Sequence, residues 1–153
     1  AFTYEDGPFT TPTKPVSDMR IGLLTSTGHY VDGHDPEPLG VKNMSQQEAI
    51  DRIQDFLKAA PDLAEIPLDT PVEQLRVRHG GYDIRGVQAD INVALPLARL
   101  RELEGQGQIG MMVSPAYSFV GAAAQRRILS KSGPAWVETF QQAKIEGLIL
   151  VPV

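Results

Sequence analysis

Cysteine is absent from all 153 residues of the sequence. No disulfide, thiolate nucleophile, redox pair or sulfur-held zinc can therefore come from this chain. Long apolar runs are absent too. The run Gly147-Leu148-Ile149-Leu150-Val151-Pro152-Val153 falls well short of the ~20 residues that cross a bilayer, so no membrane association is expected. Basic charge is in deficit, with 14 Lys and Arg against 19 Asp and Glu and a net charge of −5. The basic residues are scattered, which leaves no electrostatic footprint for a phosphate backbone, and nucleic acid is not an expected partner. Ser26, Ser114 and Ser118 have no GxSxG context, which argues against a serine hydrolase. The opening AFTYEDGPF has neither the basic start nor the apolar stretch of a secretory signal, and the expected location is cytoplasmic.

What is present suits one globular domain: 42% of residues are hydrophobic and 22% charged. A chain of this size can bury roughly two-thirds of its unfolded surface, enough for a core without metal or disulfide. Residues 1–17 read as an extended Pro-rich arm, with Pro8, Pro12 and Pro15 enforcing extended backbone and Phe2, Tyr4 and Phe9 as anchors. Residues 18–153 read as the domain. Met19 to Thr25 is a short apolar strand, followed by a polar loop through Pro36, Pro38 and Gly40. Ser45 to Ala59 has helical spacing, with Ile50, Ile53 and Phe56 or Leu57 on one face, and Ser45 with Glu48 forms a capping-box signature.

After Pro61, Pro67 and Pro71, Gln74 to His79 alternates like a strand. Val93 to Glu104 is a helix carrying Leu97, Leu100 and Leu103, with Pro96 near its first turn and Gly105 as its stop. Gln108 to Ser114 is a third strand, ended by Pro115. A short helix is expected over Ala122 to Leu129, and another from Ser132 with Trp136, Val137 and Phe140 turned inward. LILVPV, residues 148–153, is the last strand. Strands alternating with helices predict an α/β chain: a single-domain, three-layer Rossmann-like fold with a mostly parallel sheet.

Ligands in such sheets bind beyond the carboxyl ends of the strands, and the polar clusters of this sequence fall there. The first strand delivers Thr25, Ser26, Thr27, Gly28, His29 and Tyr30. The second delivers His79, Tyr82, Asp83 and Arg85, and the third Ser114, Tyr117 and Ser118. His29 and His79 each suit a general acid or base near neutral pH, or equally a hydrogen-bonded structural role. Tyr82, Asp83, Tyr117 and Ser118 would line a small-molecule site, and Arg85 could hold a carboxylate. Thr25 to His29 is then a substrate-side loop and Val31 to Asp35 its turn. His29, Asp32, His34 and Asp35 resemble a metal site only in composition, and no HExxH spacing is present, so no metal is expected.

The segments MRIGLLTSTGHYVDG, LRVRHGGYD, DINVALPLARLREL, GQIGMMVSPAYSFVG and IEGLILVPV occur in an order that resembles the selenoprotein B family of glycine, sarcosine, betaine and D-proline reductases. The likeness runs from about Pro15 to Val153. It implies reductive cleavage of a C–N bond, in which a selenocysteine or cysteine attacks carbon and displaces an amino group. It also implies a second protein subunit, in some members carrying a pyruvoyl group that activates the amine as a Schiff base. The family nucleophile follows a strand similar to LILVPV. This sequence stops at that point without a cysteine, so the thiol or selenol is expected beyond Val153 or on a partner chain, with no cofactor held by this chain itself. Two other functions remain open on the residues alone. One is a non-catalytic structural or binding subunit of a hetero-oligomer. The other is a metal-assisted hydrolase or hydratase using His29, His34 and His79.

Overall fold

A computed structural model describes residues 10–34, 45–58 and 60–153. The anchors Phe2, Tyr4 and Phe9, together with Pro8, Asp35, Pro36, Pro38, Gly40 and Ala59, lie outside the described residues. The strands are β1 (Ile21–Thr25), β2 (His29–Val31), β3 (Ala64–Ile66), β4 (Leu75–Val77), β5 (Ala116–Ser118) and β6 (Gly147–Val151). The α-helices are α1 (Gln46–Asp51), α2 (Ile53–Lys58), α3 (Arg85–Ala89), α4 (Leu97–Gly105), α5 (Gln125–Arg127) and α6 (Gly133–Gln142).

The apolar run that forms β1 takes the centre of a four-stranded sheet ordered β3-β5-β1-β6. It pairs in parallel with β5 and with β6, while β3 runs antiparallel to β5 at one edge. Because side chains alternate along a strand, Ile21 and Leu23 face one side with Ala116. There they join Leu95, Leu97 and Leu100 around α4 in the main core. Leu23 is fully buried, and truncating such a side chain to Ala costs about 2–5 kcal/mol. On the other side Tyr117 meets Phe140 of α6 edge-on, with ring centroids 4.9 Å apart.

The sheet is mixed, with three parallel strands and an antiparallel edge, and one expected member is missing from it. β4 pairs antiparallel with β2 in a separate two-stranded ribbon. Its alternation is real, but β2 begins only a few residues after β1, inside the segment read as loop, and captures the β4 edge. The expected strand at Gln108 to Ser114 is displaced as well. Only Met112 bridges to Ile21, and the paired strand lies past Pro115. A proline has no N–H to donate, yet the chain resumes pairing one residue later. β3 falls in the Pro-punctuated connection, where its three residues are too few to show a period.

The capping box is present: Ser45 Oγ accepts from Glu48 N–H, and the Glu48 carboxylate accepts from Ser45 N–H at 2.8 Å. The helix it starts is broken at Arg52, so the expected single face is not continuous, and Ile50 and Leu57 are exposed. The two helices expected between Ala122 and Phe140 are one run. α5 passes through a π-helical turn at Ile128–Ser132 into α6. Pro134 cannot donate to the carbonyl four residues back, and the helix widens just before it. Trp136 is buried but Val137 is exposed, since neighbours in sequence point about 100° apart on a helix. Val16–Asp18 form a single turn, whose Val16 carbonyl accepts from Gly110 N–H. Among the described residues no helix is long and apolar enough to cross a membrane.

Candidate functional site at the strand-end rim

The three parallel strands end level with one another: Thr25 of β1 is in register with Ser118 of β5 and with Val151 of β6. Beyond Thr25 the chain is held against both neighbours. Ser26 N–H donates to Val151 O (3.1 Å), and Gly28 N–H donates to Phe119 O (2.9 Å). Gly28 has φ +75°, and a Cβ there would sit 2.1 Å from the Arg78 carbonyl oxygen. Glycine is what allows the backbone to turn here and lie against β4. The turn sets His29 opposite Val77, so the segments after β1, β4 and β5 meet at one place.

His29 is 2% exposed. Its backbone N–H donates to Ser118 Oγ at 2.8 Å, and its Nδ1 makes a short hydrogen bond with the Thr27 hydroxyl. Thr27 Oγ1 in turn lies 3.0 Å from Thr25 Oγ1, which is within reach of the carbonyls of Ala94 (3.0 Å) and Val151 (3.2 Å). Burial lowers the His29 pKa to about 4, because a charged imidazole loses its hydration there. At neutral pH the ring is uncharged.

His79, 3% exposed, is held differently. Gly81 N–H donates to its Nδ1 (2.8 Å) and Ala122 N–H points at its Nε2 (3.2 Å). A neutral imidazole offers one in-plane lone pair, so it satisfies these amides one at a time, and a second ring proton would face two N–H groups. Burial likewise lowers its pKa to about 4. Tyr82 packs on the ring at 4.9 Å and donates its phenol to the Thr27 carbonyl at 2.9 Å, while burial raises the phenol pKa.

The remaining sequence-read residues divide into those at the rim and those apart. Thr25 and Ser118 are at the rim, fully buried, with hydroxyls engaged by protein. Ser26 Oγ accepts from Val153 N–H at 3.0 Å. Tyr117 is on the opposite face of the sheet, against Phe140. Asp83 and Arg85 are exposed and pair with each other at 2.5–3.1 Å. That pairing holds the Asp83 carboxyl below its ordinary range and occupies the guanidinium read as a carboxylate anchor. His34 is exposed in the turn beyond β2, where its N–H donates to Val31 O; Asp35 lies outside the described residues. Among the described residues no three His, Asp or Glu side chains gather as metal ligands.

His29 forms part of the wall of a cavity of about 370 Å³ with Val72, Arg76, Gln88, Asp90 and Asn92 among its other walls. These residues escape the sequence reading because they belong to the β4 ribbon and to the turn after α3, not to the ends of parallel strands. Arg76 gives no signal in sequence, because it sits on the polar side of the β4 alternation, between the buried Leu75 and Val77. Its Nη2 pairs with Asp32 at 3.1 Å, and its buried Nε has no hydrogen-bond partner among the described residues. Asp90 and Asn92 are turned partly to backbone: Asp90 Oδ1 accepts from Asn92 N–H, and Asn92 Oδ1 from Ala98 N–H.

Residues 6–153 match the family described as glycine/sarcosine/betaine reductase selenoprotein B. The chain is 29% identical to the D-proline reductase subunit gamma of Acetoanaerobium sticklandii, over 92% of this chain and 50% of that one. It is 32% identical to the betaine reductase complex component B subunit beta of Peptoclostridium acidaminophilum, over 91% of this chain and 29% of that one. A glycine reductase complex component B subunit gamma of Symbiobacterium thermophilum is 29% identical over 78% of this chain and 25% of its own. The chain thus spans half or less of the length of these relatives. No solved structure gives a significant match.

Proposed function

The chain belongs to the glycine/sarcosine/betaine reductase selenoprotein B family, and from that premise we propose that it is part of a B-component-like subunit of a reductase complex. On this reading it binds a small amino- and carboxyl-bearing substrate for reductive cleavage of a C–N bond. The nucleophile, a thiolate or selenolate, comes from outside these 153 residues, which contain no cysteine. It attacks the substrate carbon and the C–N bonding pair goes to nitrogen. That nitrogen leaves as a neutral amine because it carries a positive charge beforehand, as a protonated amine or, in betaine, as a quaternary group. A pyruvoyl group on a partner chain, where present, supplies the Schiff base that activates the amine.

This chain's own residues bind and orient. His29, uncharged at neutral pH, accepts from or exchanges a proton with the substrate's N–H. Arg76 lines the cavity, and its positive charge there is shared with Asp32 and with the carbonyls of Glu73 and Leu75, so a substrate carboxylate would compete with Asp32 for it. His79 and Tyr82 fix the rim against Thr27 and Ala122, and Ser26 and Ser118 hold the backbone beside them. The level ends of β1, β5 and β6 fit a Rossmann-like placement of the ligand outside the sheet. The observation carrying this reading is a neutral, buried histidine that starts just beyond the end of β1 and stands in the wall of a cavity formed by the β4 ribbon and the turn after α3.

The test is to assemble the full protein with the other subunits of its complex, add a thiol reductant, and offer glycine, sarcosine, betaine and D-proline in turn. Cleavage of a C–N bond in one of them, dependent on this subunit, is the expected result. Failure with every amino compound, in a complex that assembles normally, would overturn the reading. That outcome would favour a non-catalytic binding subunit, for which edge strand β6 with its exposed Leu150 (63%) already speaks.

A further inference from the structure

The geometry points to Thr27, backed by Thr25, as the positioning residue that fixes the tautomer of His29: hydrogen on Nδ1, a bare lone pair on Nε2. The argument is a chain of single protons. Thr25 Oγ1 lies 3.0 and 3.2 Å from two carbonyl oxygens, of Ala94 and Val151. Carbonyls only accept, and oxygen lone pairs facing each other at that distance with no proton between them repel. One hydrogen cannot serve both carbonyls. Thr25 donating to a carbonyl, Thr27 to Thr25 and Nδ1–H to Thr27 fills three of the four contacts with a proton. A relay from Thr25 through Thr27 to a bare Nδ1 fills two, and the first arrangement is favoured. Thr25 then meets Thr27, 3.0 Å away, only as an acceptor, and the Thr27 hydrogen is spent on Thr25. What Thr27 offers His29 Nδ1 is a lone pair, so Nδ1 must carry the hydrogen.

Thr25 and Thr27 are both fully buried, which leaves no bulk water to supply a different donor. With Nδ1 committed and the ring uncharged, Nε2 is the nitrogen left to meet a molecule in the cavity that His29 lines. Such a molecule must present a hydrogen-bond donor. The tautomer follows from the protein's own hydrogen bonds. Only its use in catalysis rests on the function proposed above.

Imidazole nitrogen and carbon shifts of labelled histidine in the full protein test this, with the His29 signals identified by their loss in His29→Asn. The expected result is the Nδ1–H tautomer in the wild type and in Thr27→Ser, which keeps the hydroxyl. Thr27→Val, which removes it at similar volume, should lose the Nδ1–H preference. Signals of the Nε2–H tautomer in the wild type would overturn the assignment, as would an unchanged tautomer in folded Thr27→Val. If Thr27→Val does not fold, the wild type and Thr27→Ser still decide. These spectra need no substrate, so a failed reductase assay and a failed tautomer assignment are separate results.

Discussion

His29 and His79 are the same residue type, almost equally buried, and burial drives both to a pKa of about 4. They differ in what their ring nitrogens meet. His79 has a backbone amide at each nitrogen and ties the β4 loop to the segment after β5. His29 has one nitrogen engaged by a threonine hydroxyl and stands in a cavity wall. Depressed basicity alone therefore does not mark a reactive histidine. On the function proposed above, what separates them is that His29 Nε2 has no protein partner among the described residues.

Gly28 should break the comparison most severely, because it places both rings. A methyl group there meets the Arg78 carbonyl at 2.1 Å and sits on backbone with φ +75°. Gly28→Ala is expected to cost more than about 3 kcal/mol, read as a fall in the urea midpoint with the slope retained.

Acid should act on both histidines together. Each binds its proton more weakly folded than unfolded, so the unfolded state takes up more protons between about pH 6.5 and 4. Stability is complete above that window and falls as pH drops through it, by up to about 3 kcal/mol per histidine. Urea titrations at stepped pH would show this, and His79→Gln should remove about half of the slope. A flat profile between pH 7 and 4 would contradict the burial of both rings.

His79→Ala should then sharpen the difference. It removes the one ring lone pair that the amides of Gly81 and Ala122 share and costs about 1–3 kcal/mol. Ser118→Ala, which removes the acceptor for His29 N–H, should cost about 1 kcal/mol or slightly more by the same measurement.

The sequence made the ends of β1 and the gathering of its polar residues legible because a short apolar run followed by Thr, Ser and Gly has few other interpretations. The Ser45 cap was equally local, since both partners sit within one turn. Which strand pairs with which was not local. β2 reads as loop because its three residues include His29, yet it takes β4 out of the sheet and so creates the cavity. Arg85 reads as free in sequence because nothing local marks Asp83, two residues earlier, as the partner that occupies its guanidinium. Arg76 reads as an ordinary solvent-side residue of an alternating strand, and only the pairing of β2 with β4 brings it beside Tyr30 and Asp32.

The proposed function assigns contact with the substrate to His29 and a structural role to His79. Its most direct test is turnover and thermal stability, measured side by side, for His29→Asn and His79→Asn in the assembled reductase complex. Asparagine keeps a polar group where each Nδ1 stood and removes Nε2. The account predicts that His29→Asn loses about 10²–10⁴-fold in turnover with a melting temperature close to wild type, while His79→Asn loses stability first and activity less. Full turnover in a folded His29→Asn complex would contradict it.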